Sequence, residues 1–174
     1  MSWWGSGNTA TALLVKEVTA MKAVFDKESL KPVLKEVGRD NEVAYYIETL
    51  KRELELGRGN SYWKLSFRLH DTKEDYVRGK GALSRPYKIK ILYRNHPYQE
   101  PYVYVLSHRI NHSTPHVLRD DDDGYVLCLW DHSSRTNRGW DPAKSTAATM
   151  ALWATQWLRA WKHWEETNYW PIDT

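Results

Sequence analysis

Hydrophobic and polar positions along the chain fall into successive periodicities. Near the start, Leu13, Leu14, Val18, Met21 and Val24 recur at close to helical spacing after a Gly/Ser/Asn opening suited to capping, which predicts a helix from about Asn8 to Phe25. Glu42 to Leu56 reads as an amphipathic helix, although Val43 to Ile47 is rich in strand formers; helix is the expectation there. From Asn60 the period becomes two. Tyr62, Lys64, Ser66 and Arg68 interleave with Trp63, Leu65, Phe67 and Leu69, so one face of a strand meets the core and the other meets water. Further strands are expected near Tyr76 to Ala82, over Tyr87 to Tyr93, and over Tyr102 to Leu106 after the turn His96-Pro97-Tyr98-Gln99-Glu100-Pro101. The middle of the chain is therefore read as an antiparallel, four-stranded meander.

Ser107 to Gly139 shows no sustained period and is rich in His, Asn, Asp, Ser and Pro. A loop this long in a compact domain is usually functional or disordered, and it is read as the active-site segment. After Trp140-Asp141-Pro142, with Ser145 or Thr146 as cap, Met150, Trp153, Trp157, Leu158, Trp161 and Trp164 recur at three- and four-residue steps. The tryptophan stripe is assigned to the core, because exposing several indoles would create an aggregation-prone patch. The expected organisation is α+β in one domain, residues 1–174: an N-terminal helical region (1–60), the meander (61–106), the active-site segment (107–142) and a C-terminal helical region (143–174) packed on the sheet.

A length of 174 residues suits one well-buried core. Ten tryptophans and eleven tyrosines against two phenylalanines mean that much of the core's area comes from rings with polar edges. The 25 Lys and Arg nearly balance the 22 Asp and Glu without a long basic run, so neither nucleic acid nor an anionic membrane is expected as a ligand. The apolar windows are broken by Lys, Asp or Glu well short of a membrane span. Cys128 is the single cysteine, which excludes an intramolecular disulfide, and the opening residues do not read as a signal peptide. The expected compartment is the reducing cytoplasm.

Three local patterns, taken in order, resemble the ubiquitin-conjugating enzymes. His96-Pro97-Tyr98-Gln99-Glu100-Pro101 is similar to the family's aromatic-Pro-x-x-x-Pro turn, with His in place of the usual Tyr. Pro115-His116 followed by Asp123-Gly124-Tyr125-Val126-Leu127-Cys128-Leu129 resembles the His…Gly-x-x-x-Cys-Leu signature that contains the nucleophile. Trp140-x-Pro142 leading into a helix is similar to the family's Trp-x-Pro. The likeness, over roughly Tyr62 to Trp170, is closest to the bacterial branch, whose Trp-rich helix ends in a Trp…Thr-x-x-Trp run, here Trp164, Thr167 and Trp170. Leu118 stands where eukaryotic members carry an oxyanion-stabilising Asn.

The resemblance implies that Cys128 accepts an activated acyl group as a thioester and passes it to an amine, usually a lysine. A lone cysteine is more often a small buried hydrophobe; the surrounding motif argues otherwise. The acidic run Asp120 to Asp123 is expected to hold the Cys128 thiol above, rather than below, the ordinary cysteine value of about 8.5. His116 is a candidate to orient the segment or to polarise the thioester carbonyl. Asp131 and His132 are candidate proton acceptors for the attacking amine, with solvated loop residues as the alternative.

Pro115 interrupts any alignment of His108, His112 and His116, and Arg119 and Trp130 occupy the first and closing positions of a calcium-loop pattern, so no metal is expected. No cofactor is expected either. Without a Gly-rich phosphate loop, ATP chemistry falls to a separate adenylating, activating enzyme. The resemblance further implies bacterial antiviral operons, with a ubiquitin-like modifier or the C-terminus of a cyclic GMP-AMP synthase-like nucleotidyltransferase as acyl donor and a protein lysine as acceptor. Two alternatives stay open: a catalytically inactive binding module of the same fold, and a Cys/His thiol hydrolase.

Overall fold

The computed structural model describes residues 7–25, 32–37, 41–58, 60–70, 85–121, 124–129 and 139–170. In chain order the elements are α1 (Gly7–Phe25), β1 (Pro32–Val37), β2 (Asn41–Glu55), β3 (Tyr62–His70), β4 (Tyr87–Leu92), β5 (Tyr102–Val105), β6 (Val117–Asp121), β7 (Gly124–Leu127) and α2 (Ala147–Thr167). Strands β1 to β5 form one antiparallel sheet in sequence order, and β6 and β7 form a separate hairpin. Helix α1 packs against α2 and β2, helix α2 reaches β4 and β5, and β7 lies against β5. This is the α+β, conjugating-enzyme-like arrangement with an N-terminal and a C-terminal helix, on a sheet of five described strands rather than four.

The region read as an amphipathic helix, Glu42 to Leu56, is instead the long strand β2. The reason for the misreading is a β-bulge between Thr49 and Lys51. Before it the inward positions are Tyr45, Ile47 and Thr49; after it Arg52 and Leu54 are half-buried while Lys51, Glu53 and Glu55 are exposed. The alternation is intact on both sides, but its phase slips by one residue at the bulge, so no single period of two runs through the strand and a subset such as Tyr45, Thr49 and Arg52 falls at helix-like spacing. The strand expected near Tyr76 to Ala82 lies outside the described residues.

The core is one cluster between sheet and helices. Trp63, Leu65 and Phe67 of β3 are all buried on the inward face, Ile89 and Ile91 lie opposite Leu65 and Trp63 on β4, and Met21 and Phe25 enter from α1. Phe25 meets Phe67 with ring centroids 6.0 Å apart at 57°. From α2, Trp157 and Leu158 are both buried, as the tryptophan stripe predicted, and Trp161 is only 9% exposed. The core is also polar in places. Thr155 donates its hydroxyl to the Leu152 carbonyl at 2.8 Å, so at the 2.6 Å contact with Tyr45 it is the phenol that donates. Burial pushes the Tyr45 phenol up to about 12.

Candidate active site

The segment that showed no period contains the β6–β7 hairpin. Its pairs run Val117 to Leu127, Arg119 to Val126, Asp120 to Tyr125 and Asp121 to Gly124, so Leu118 is an inserted bulge residue. Leu118 is 47% exposed. With Glu100, Tyr102, Val126, Leu127, Leu129 and Met150 it lines a shallow cleft of mixed polarity. Leu118, at the position where the resemblance implies an amide in eukaryotic conjugating enzymes, presents a hydrocarbon side chain to this cleft.

Cys128 follows β7 directly and is partly exposed. Its backbone N–H donates to the His116 carbonyl at 2.9 Å, which adds one rung to the hairpin beyond the Val117–Leu127 pair. His116 adopts a left-handed backbone, φ 56°, which costs a residue with a Cβ about 1–2 kcal/mol. Contacts from α2 and the segment after it offset that strain. The buried Trp157 indole donates to the same His116 carbonyl at 3.0 Å. The His116 imidazole lies on the Trp170 ring, centroids 4.7 Å apart at 37°, and Trp170 in turn meets Trp157 edge-on at 5.4 Å.

Trp170 reaches this position because α2 is stopped abruptly. Asn168 turns left-handed at φ 62° and donates its N–H to the Trp164 carbonyl at 2.7 Å, an αL cap. Thr167 donates its hydroxyl to the His163 carbonyl at 2.8 Å and accepts the Tyr169 N–H at 3.2 Å. The Thr-x-x-Trp ending is thus a device that folds the chain back over Trp157 and His116.

Two further motifs meet behind the hairpin. The Trp140 indole donates to the Pro97 carbonyl at 2.7 Å, and the His96 ring sits against Tyr93 and Trp140 at 4.8 and 6.2 Å. His96 is only 5% exposed. Its burial, helped by the Lys16 ammonium, lowers its pKa to about 4. Arg94 closes the same turn, donating through Nε and Nη2 to the Glu100 carbonyl at 3.1 and 2.9 Å while lying 3.6 Å over the Tyr102 ring.

Helix α1 grips the start of α2 through two adjacent side chains. Lys16 Nζ donates to the Ala143 carbonyl at 2.9 Å. Glu17 is fully buried, and its Oε1 accepts both the Ala147 N–H at 2.8 Å and the Tyr93 hydroxyl at 2.6 Å. Tyr93 itself accepts the Trp63 indole N–H at 2.8 Å. The carboxylate thereby satisfies one of the first amides of α2 and sits at the positive end of that helix. Burial nevertheless dominates and raises the Glu17 pKa, against its hydrogen bonds and Lys16.

Of the four residues singled out from the sequence, the structure brings Cys128 and His116 together through their backbones. Asp131 and His132 lie outside the described residues. Among the described residues, no three of His, Cys, Asp and Glu are grouped to hold a metal ion. Sequence reasoning missed Trp157 and Trp170 as parts of the site, although the Thr-x-x-Trp ending carried a signal for the latter. It also missed Glu17, which gave none: a glutamate in an amphipathic helix reads as solvent-facing.

The profile of one protein family, the Type II CBASS E2 protein, matches residues 58–174. The chain belongs to the Type II CBASS E2 protein family. The match spans β3 through the end of the chain and so contains the hairpin, Cys128 and both tryptophans. Comparison with curated proteins and with solved structures gave no match. The role of a CBASS E2 is an E2-like, conjugating one in a bacterial antiphage system, in company with an activating enzyme and a target. Helix α1 and strands β1 and β2 precede the matched region, yet Lys16 and Glu17 fasten α1 to its last helix. No helix among the described residues is long and apolar enough to cross a membrane.

Proposed function

We propose that this CBASS E2 carries an acyl group as a thioester on Cys128 and delivers it to a lysine amine. The Cys128 thiolate attacks the carbonyl carbon of the acyl group held on the activating enzyme, and the activating enzyme's thiolate leaves. In the second step a neutral amine attacks the Cys128 thioester, loses a proton, and the Cys128 thiolate departs. The acyl donor is a ubiquitin-like modifier or the C-terminus of a cyclic GMP-AMP synthase-like nucleotidyltransferase. The observation that carries this reading is the placement of Cys128. It stands partly exposed after the end of β7, with its N–H tied to His116 and its neighbours Leu127 and Leu129 set in a shallow cleft.

That setting supports a positioned nucleophile with hydrocarbon beside it for the flexible end of an acyl chain. His116 is proposed as a positioning residue, acting through its carbonyl and its stacked ring. Asp131 and His132 remain the proposed proton acceptors for the incoming amine.

Co-expression of the protein with its operon neighbours, beside a Cys128→Ser variant, tests the reading by reducing and non-reducing gels and intact mass. The expected result is a reductant-sensitive adduct that the variant loses or converts to a stable ester, with its mass naming the donor. No adduct while the neighbours are active would leave a binding module. Acyl turnover with neither adduct nor acceptor conjugate would point to a thiol hydrolase.

A further inference from the structure

A cavity of about 490 Å³ opens between the end of β3, the start of β4, His108 beyond β5 and the last turns of α2, and it shares no lining residue with the cleft beside Cys128. Among the described residues four cations line it: Arg68, Arg85, Arg159 and Lys162. Arg68 comes from β3, Arg85 from just before β4, and Arg159 and Lys162 from one face of α2, so local sequence shows no basic run. Among the described residues Glu166 is the one carboxylate in the lining; Glu48, outside it, stands 3.6 Å from Arg68. Arg159 is seated over the Tyr45 ring at 4.6 Å, which fixes its guanidinium at the cavity wall. Among the described residues neither Arg85 nor Lys162 has a carboxylate within ion-pair distance.

The remaining wall is aromatic. His108 lies 4.6 Å from the Tyr87 ring at a 30° tilt and edge-on to Trp161 at 5.4 Å. Its Nδ1 is engaged by the Ser107 hydroxyl at 2.7 Å, and burial together with Arg85 depresses its pKa. Trp161 closes the inner side of this wall. It is 9% exposed, and its indole N–H is buried without a hydrogen-bond partner among the described residues. An orphaned buried donor is costly and unusual in a settled core.

We propose that this cavity binds a nucleotide. Arginine forks and a lysine ammonium match phosphate oxygens, and the Tyr87–His108–Trp161 wall offers planar, apolar contact for a base. The volume falls in the range of roughly 300–1,000 Å³ occupied by single small ligands, which suits one nucleotide rather than a strand.

Isothermal titration calorimetry on the full chain tests this with ADP, pyrophosphate, adenosine and an acidic peptide of similar charge, for wild type, Arg85→Glu and Lys162→Glu. Both substitutions replace exposed side chains, and circular dichroism verifies that the fold is kept. The expected result is that ADP binds, more weakly as salt rises, that pyrophosphate binds less tightly and adenosine not at all. Each substitution should weaken ADP by about tenfold or more, the loss of a charge-assisted hydrogen bond. The proposal is overturned by no ADP binding at about 1 mM ligand, or by ADP binding that both variants retain. Pyrophosphate binding as tightly as ADP, or the acidic peptide binding in place of ADP, overturns it equally.

Discussion

The carbonyl oxygen of His116 accepts two hydrogen bonds, one from the Cys128 amide at 2.9 Å and one from the Trp157 indole at 3.0 Å. The nucleophile candidate is thereby tied to the buried face of α2 through a single backbone atom. The left-handed backbone at His116 is what turns that carbonyl toward both donors. If the geometry rather than the imidazole is what counts, two substitutions that both remove the ring should differ. His116→Asn tolerates the left-handed region and should keep most of the thioester loading. His116→Val is β-branched, should cost about 1–3 kcal/mol at that backbone conformation, and should lose loading with it. Gel-based loading rates beside denaturant unfolding check this; equal loading loss in both variants would give the imidazole a chemical role.

Trp157→Phe removes the second bond. It keeps a six-membered ring in the core but removes the N–H together with the rest of the pyrrole ring, so an unfolding free energy lower by about 1–3 kcal/mol is expected. Trp157→Ala removes the ring as well, and the expected loss is about 3–5 kcal/mol. Urea titrations of the two variants give the comparison directly.

The two buried titratable groups behind the hairpin predict opposite pH slopes. His96, with its pKa lowered from 6.5 to about 4, binds fewer protons when folded than when unfolded in that interval. Its contribution is therefore complete above pH 6.5 and lost as pH falls toward 4, on the order of 2–3 kcal/mol in all. Glu17 is raised, so the folded chain binds its proton more tightly, and its contribution is complete below the ordinary glutamate value and lost as pH rises through the raised one. Denaturant unfolding at stepped pH separates them: His96→Phe should remove the loss on acidification, and Glu17→Gln should remove the loss that sets in as pH rises above the ordinary glutamate value. Glu17→Gln should also stay folded, since an amide oxygen can still accept from Tyr93 and Ala147. Glu17→Ala orphans both donors and should cost about 2 kcal/mol or more.

What was legible in the sequence follows from how local the signal is. The alternation of Trp63, Leu65 and Phe67 and the helical stripe through Trp157 and Trp161 are set by burial of one face, and both appear in the structure as read. Strand β2 failed because one bulge residue shifts a period of two into the guise of 3.6. The β6–β7 hairpin was hidden by the polar run Arg119 to Asp121, yet Asp123-Gly124 is the type of pair that marks a hairpin turn and could have revealed it. The cysteine motif pointed to Cys128, but the double acceptor at His116 could not be read, because it depends on Trp157 arriving from another element. The same holds for Glu17 and for the basic cavity, whose cations are scattered along the chain and meet only in space.

Gly124 opens β7 at φ +120°, and a Cβ built there meets nothing within 4 Å. Space is therefore not what selects glycine; the backbone conformation is. Gly124→Ala should lower the unfolding free energy by about 1–3 kcal/mol through backbone strain alone, without the packing defects of a core substitution. Because Gly124 begins the strand that Cys128 ends, strain at the turn should slip or loosen the rung between Cys128 and His116. Thioester loading is then expected to fall further than the loss of folded protein accounts for. Amide hydrogen exchange of Cys128 in the variant gives the decisive comparison: faster exchange with slower loading ties the hairpin to the nucleophile, whereas unchanged protection with unchanged loading would make β6–β7 a covering flap that does not position the thiol.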